Sequence, residues 1–197
     1  NDIIGPLLSM TDPELLAFTR LTGELIGNIR ALPKPVVAAL NGTAAGAGAV
    51  IALACDLRVA VETAKLAFLF VRVGLAGADM GAAWLLPRVV GLARATEMLM
   101  LGEPVVATEA RAMGLVNYVT PDAASCLHKA HELAQKLAQG PSFALGMTKT
   151  MLDVEAHLSL PQALEAEAQA QQICMGTIDF REAHAAFIAK RQPSFVG

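Results

Sequence analysis

The chain has 197 residues, 54% of them hydrophobic, enough to bury a substantial core in one large domain or one domain with an appendage. A formal net charge of -3, with no basic cluster, leaves no electrostatic footprint for DNA or RNA. The three cysteines, Cys55, Cys126 and Cys174, are odd in number and lack metal-type spacing, so the sequence points to core packing in a reducing cytoplasm rather than to secretion or a metal centre.

In chain order, Asn1-Asp2 is not the charged lead of a secretory signal. Thr11-Asp12-Pro13-Glu14 is a helix start, with a polar cap, proline in the first turn and an acid near the positive end of the dipole. A helix to Ala31 follows, since Leu15, Phe18, Leu21/Thr22, Leu25 and Ile29 recur at three-to-four spacing. Pro33 and Pro35 end it. Residues 35–56 read PVVAALNGTAAGAGAVIALACD and carry no charge until Asp56. The mean hydropathy of +0.49 invites a membrane span here. Asn41-Gly42, Thr43 and the richness in alanine and glycine suit instead a buried strand over 35–40, a turn, and a tightly packed helix over 49–55. Gly46 and Gly48 let backbone approach a ligand closely, and the unpaired N–H groups of a first helical turn can hold an oxyanion.

Residues 57–61 alternate as a strand should, and 66–70 form a second short strand. Residues 74–81 are a loop, 82–90 a helix interrupted by Pro87, and 93–101 another helix stopped by Gly102-Glu103-Pro104. A helix over 107–113 and a strand over 116–119 come next. Beyond them lie four helical patterns, over 123–138, 143–154, 161–175 and 181–190. The expected organisation is therefore an α/β part over residues 1–121 and a helical region over 122–197.

The segments KPVVAALNG at 34–42, AGAG at 45–48 and ACD at 54–56 come in order with GLA at 74–76, LPRVVG at 86–91, ARAMGLV at 110–116 and FIAKR at 187–191. Together they resemble the enoyl-CoA hydratase/isomerase (crotonase) superfamily across nearly the whole chain. The resemblance implies a spiral of ββα units with a C-terminal helical region that assembles homotrimers or hexamers. It also implies an acyl-CoA substrate, with coenzyme A entering as part of the thioester and no tightly bound cofactor or metal. The chain starts at a point resembling the middle of the family's first half. An early portion with a further oxyanion-hole donor is therefore expected to precede it.

In such proteins two backbone N–H groups polarise the thioester carbonyl and hold the enolate. By motif position the donor here is the amide of Ala47, between Gly46 and Gly48. Hydratases carry two glutamates that share a water; the resemblance places those positions at Val50 and Phe70, neither of which can exchange a proton. One carboxylate stands in the corresponding loop, Asp79. It falls where dienoyl-CoA isomerases, the phenylacetate-pathway enoyl-CoA isomerase and chlorobenzoyl-CoA dehalogenase carry a functional aspartate. The bland alternative for Asp79 is capping of the following helix. The dehalogenase also uses a histidine ahead of the core strand, and no histidine precedes His128.

The favoured expectation is double-bond isomerisation of an enoyl-CoA with Asp79 as catalytic proton shuttle. Val50, Phe70 and Trp84 would then line the acyl site, while Phe187 and Lys190 would sit near the CoA nucleotide of a neighbouring subunit. A hydratase with an atypical site and a non-catalytic acyl-CoA-binding subunit stand as the alternatives.

Overall fold

The computed structural model describes residues 4–197, so the reading of Asn1-Asp2 lies outside it. A short helix α1, Ile4–Leu7, precedes α2, Asp12–Ala31. Thr11 donates both its N–H and its hydroxyl to the Glu14 carboxylate, at 2.8 and 2.7 Å, closing the cap that the sequence predicts. Strand β1 is Val37–Leu40, and β2 is only Ala44–Ala45. Helix α3, Ala47–Ala54, starts directly at the glycine turn, two residues earlier than its apolar composition suggests.

Strands β3, Leu57–Val61, and β4, Lys65–Ala67, follow, then a 3-10 turn over Leu69–Val73. The predicted strand over 66–70 thus ends at Ala67, and Phe70 stands on a 3-10 turn. Helices α4, Ala82–Val90, and α5, Leu92–Leu101, lead to β5, Val105–Val106, α6, Ala107–Ala112, and β6, Tyr118–Thr120. Four longer helices follow: α7, Ala123–Ala138; α8, Ser142–Val154; α9, Leu160–Met175; and α10, Ile178–Ala189.

The strands form two small sheets, ordered β1-β3-β6 and β2-β4-β5. Strand β3 runs parallel to β6, with Val59 opposite Tyr118; β2 runs parallel to β4, with Ala45 opposite Ala67. Strands alternating with helices and parallel pairs joined by crossovers make this a mixed α/β fold with a helical C-terminal region.

The chain divides into two compact units. The first holds residues up to Arg30 with Ala38–Leu127, and the second Ala31–Val37 with His128–Gly197, where the sequence alone suggests a boundary at residue 121. In the first unit α3 is the centre of the core: Val50, Leu53 and Ala54 pack with Leu66, Phe68 and Leu86. Strand β3 is buried on both faces from Arg58 to Val61, so the expected one-sided alternation does not apply.

Arg58 explains how a charge enters that strand. Its guanidinium donates to the carbonyls of Leu53 at 3.2 Å, Ala52 at 3.4 Å and Cys55 at the end of α3, while Nε reaches the carbonyl of Leu115 at 2.6 Å. The Ala52 carbonyl also accepts from Cys55 N–H at 3.2 Å, so the cation on the negative end of the helix chiefly serves the carbonyls of Leu53 and Cys55 beyond the last intrahelical bonds. Burial pushes the guanidinium's pKa down from its ordinary value, chiefly by desolvation.

In the second unit, Gly146 of α8 lies against the chain at Pro33, where an added Cβ would come within 2.5 Å of the Pro33 carbonyl oxygen. The buried Lys149 donates to the Lys34 carbonyl at 3.2 Å. Helix α10 begins three residues before the predicted start, because the Thr177 hydroxyl caps it by accepting from Phe180 N–H. Beyond α10 the chain is tied back by two carboxylates. Asp179 accepts from the N–H groups of Val196 and Gly197, and Glu182 from the Arg191 guanidinium and Ser194 N–H.

Candidate active site

The glycine turn is fixed from one side by the β2–β4 ladder. Gly46 N–H donates to the Ala67 carbonyl at 2.9 Å, and the Gly46 carbonyl accepts from Ala49 and Val50 at 3.0 and 3.2 Å. Gly46 has φ 52 and ψ -123, a conformation closed to side-chain-bearing residues, so glycine is required here. The turn leaves two amides over: among the described residues, the N–H groups of Ala47 and Gly48 have no hydrogen-bond partner. Both residues are exposed, at the N-terminus of α3. A Cβ built on Gly46 or Gly48 would meet nothing within 4 Å, so open space adjoins the donors.

That space is a cavity of about 460 Å³ within the first unit. Its walls bring together Gly46, Ala47 and Gly48 from the turn, Phe70 from the 3-10 segment, and Asp79 and Met80 from the loop before α4. Phe18 and Thr22 of α2 close another side. Most of the remaining wall is aliphatic, and Thr22 and Asp79 supply its polar side chains. Thr22 spends its hydroxyl proton on the Thr19 carbonyl, at 3.0 Å. Asp79 is half-buried, and its Oδ1 accepts from Met80 N–H at 2.8 Å. Its Oδ2 has no partner among the described residues. The Asp79 carboxylate therefore has one anchored oxygen and one left over.

Other predicted site residues fall elsewhere. Val50 is fully buried in the core of α3 and is not part of the cavity wall. Trp84 is not part of the wall either: it is 39% exposed and its ring lies under the Arg88 guanidinium, 3.7 Å from the centroid. Phe187 and Lys190 belong to the second unit, where Phe187 is 80% exposed on α10 and Lys190 caps that helix with φ 52. The predicted helix cap by Asp79 takes a different form, since Gly81 is the residue at the start of α4 and the Asp79 side chain reaches only Met80 N–H.

Sequence reasoning passed over Phe18 and Met80 as cavity residues. The helical periodicity of α2 marks Phe18 as inward-facing without saying toward what, and nothing in the loop sequence marks Met80. Among the described residues no group of three or more His, Cys, Asp and Glu could hold a metal ion. Nor is any of their helices long and apolar enough to cross a membrane. A further cavity, of about 340 Å³ between α8 and α9, contains none of the predicted residues.

The fold identifies the class to which the chain belongs, and comparison with known proteins gives that class a name. Residues 17–197 match the family described as enoyl-CoA hydratase/isomerase, and the chain belongs to that family. It is 38% identical over 186 residues to the 1,2-epoxyphenylacetyl-CoA isomerase of Escherichia coli K12, covering 94% of this chain and 70% of that protein. An enoyl-CoA isomerase/hydratase of Mycosarcoma maydis is 35% identical over 192 residues, covering 95% of this chain and 68% of the relative. The crystal structure of a candidate enoyl-CoA hydratase from Streptomyces coelicolor A3(2) superimposes with a TM-score of 0.96 at 50% identity, over 99% of this chain and 70% of that one. An enoyl-CoA hydratase from Bacillus anthracis gives 0.90 at 31% identity, over 95% and 73%. The chain thus has the mixed α/β crotonase fold, and it spans about 70% of the length of the relatives named above.

Proposed function

We propose that the protein moves a carbon–carbon double bond within an enoyl-CoA thioester, with Asp79 as the proton shuttle. The observation that carries this reading is the shared cavity: the free amide of Ala47 and the carboxylate of Asp79 line the same space, whose other walls are largely apolar. The Ala47 N–H would donate to the thioester oxygen and stabilise the charge that collects there when a proton leaves the α-carbon. Asp79 would take that proton and return it to the γ-carbon, leaving the double bond between the α- and β-carbons. One carboxylate suffices, because the proton is neither gained nor lost overall.

Hydration makes a different demand, namely a base for the water and an acid for the carbon. The positions at which the family resemblance expects the hydratase glutamates hold Val50, sealed in the core, and Phe70, an apolar wall. Similarity to a named isomerase supports the same choice. In this reading the protein acts in a reducing, cytoplasmic setting as a homotrimer or hexamer, and Phe187 and Lys190 meet the CoA nucleotide of a neighbouring subunit.

The test is to incubate the protein with cis-3-enoyl-CoA, trans-2-enoyl-CoA and 2,4-dienoyl-CoA panels and follow mass and absorbance. Isomerisation gives a product of unchanged mass with altered absorbance. Products that have gained the mass of water and nothing else would overturn the proposal in favour of an atypical hydratase, and binding without turnover would favour a non-catalytic acyl-CoA-binding subunit.

A further inference from the structure

The segment that carries Asp79 is a tight turn of unusual composition. The Asp79 carbonyl accepts from Ala82 N–H at 2.8 Å, closing a four-residue turn. Its central residues, Met80 and Gly81, both have positive φ, at 49 and 82. Positive φ at both central positions is the pattern of a type I′ turn, in which the first of them is ordinarily Asn, Asp or Gly. Methionine has a Cβ that crowds the backbone in this region and no polar atom to compensate.

The surroundings hold the turn in that shape. Gly77 lies so close to α5 that an added Cβ would stand 2.5 Å from the Leu99 carbonyl oxygen, which pins the incoming chain. On the outgoing side Gly81 accepts from Leu85 N–H at 2.9 Å as α4 begins, and Ala82 is fully buried. Met80 itself is 7% exposed, its side chain packed in the core while it also contributes to the cavity wall. A sparsely populated conformation over-determined in this way, beside a chemically competent group, is where functional strain is found.

What the conformation does is visible in one bond: it presents Met80 N–H to Asp79 Oδ1 at 2.8 Å. We infer that the left-handed Met80-Gly81 turn is a positioning device for Asp79, with Met80 as the positioning residue whose amide holds Oδ1 and leaves Oδ2 for proton transfer. The inference rests on the reading of Asp79 as the proton shuttle.

Met80→Ile keeps an apolar side chain of similar volume but strongly disfavours positive φ. Gly81→Ala acts on the same turn from its other central position. Its new Cβ would meet only Ile26 Cγ2 and Leu85 Cδ1, at 3.9 Å, so the effect is conformational rather than steric. Met80→Asn accepts the left-handed conformation and keeps the amide. With cis-3-enoyl-CoA as the probe, and folding checked by circular dichroism and thermal melting, Met80→Ile and Gly81→Ala should each lower kcat on the order of 30-fold with KM within about threefold. Met80→Asn should lose clearly less kcat than Met80→Ile, because the turn and its N–H survive although a cavity-wall side chain has changed.

A double-mutant cycle separates positioning from mere structure. In an Asp79→Asn background, adding Gly81→Ala or Met80→Ile should lower the residual rate by less than about threefold, since the group they position is already disabled. The inference is overturned if the turn-breaking variants that fold turn over like the parent, if Met80→Asn loses as much as Met80→Ile, or if the penalty persists undiminished in the Asp79→Asn background. Normal turnover in Asp79→Asn alone would instead remove the functional reading beneath it, and the inference with it.

Discussion

Arg58 offers the sharpest test of how the fold holds the candidate site, because its guanidinium is buried with only carbonyl oxygens as its hydrogen-bonding partners. Arg58→Met keeps a flexible apolar stem and removes every donor. Four carbonyls, those of Ala52, Leu53, Cys55 and Leu115, then lose a partner in the interior. The Leu115 bond comes from Nε and the Cys55 bond from one terminal nitrogen; the Leu53 and Ala52 carbonyls share that same terminal nitrogen at 3.2 and 3.4 Å and count for less. A buried polar group left unsatisfied costs about 1–3 kcal/mol, so the Leu115 and Cys55 bonds set a loss of roughly 2–6 kcal/mol. Against this stands the relief of no longer burying a charge, which brings the expected net loss to about 3 kcal/mol. For a chain of this size each kcal/mol moves the melting temperature by about 2–4 °C, so a drop of roughly 6–12 °C is expected. A melt followed by circular dichroism reads it directly. A Tm within about 1 °C of the parent would refute the argument that Arg58 secures the end of α3.

Two further outcomes follow from the geometry. Ala47→Pro deletes the free amide at the first position of α3, where proline's fixed φ is compatible with a helix, so the protein should fold while turnover falls on the order of 100-fold or more; a folded variant with parent-like turnover would remove Ala47 from the oxyanion site. At the other end of the chain, the Arg191 guanidinium and the Ser194 N–H pull the Glu182 carboxyl from an ordinary 4.5 down to about 2. Because the folded value is the lower one, the tie between Glu182 and residues 191–194 contributes fully above pH about 4.5 and is lost as pH falls through about 2. Protection of the Ser194 amide, taken relative to its intrinsic exchange rate at each pH, should be lost only across that acid window, and Glu182→Gln should show weakened protection at neutral pH. Parent-like protection in the variant would contradict the assignment.

What the sequence made legible was whatever local chemistry decides. The start of α2 at Thr11-Asp12-Pro13-Glu14 and the turn at Ala45-Gly46-Ala47-Gly48 are signalled by caps and glycines whose physics acts within a few residues. The family's ordered motifs located Ala47 and Asp79, and the structure places both on one cavity wall. Where neighbours distant in sequence decide, the reading ran out. Arg58 looks like the polar member of an alternating strand, and only the carbonyl of Leu115, 57 positions on, and the end of α3 make it an interior clamp. Pro87 should interrupt a helix, yet α4 runs through it, because the carbonyl of the exposed Ala83 that it leaves unpaired can turn to solvent. Trp84 reads from sequence as a pocket or core aromatic, and its place on α4 sets its ring beside Arg88. Met80 breaks the residue preferences of the turn it occupies, and no local rule would have put it there.

Isomerisation by Asp79 is tested most directly by following cis-3-enoyl-CoA in deuterated solvent with the parent protein and with Asp79→Asn, recording both conversion rate and deuterium at the α- and γ-carbons by mass spectrometry. Asparagine preserves the shape of the side chain and an oxygen for Met80 N–H but cannot accept a proton. The account predicts that the parent shifts the double bond and leaves deuterium in the recovered thioester, while Asp79→Asn binds substrate, converts it on the order of 100-fold more slowly and loses exchange in parallel. Parent-like conversion and exchange in Asp79→Asn would contradict it.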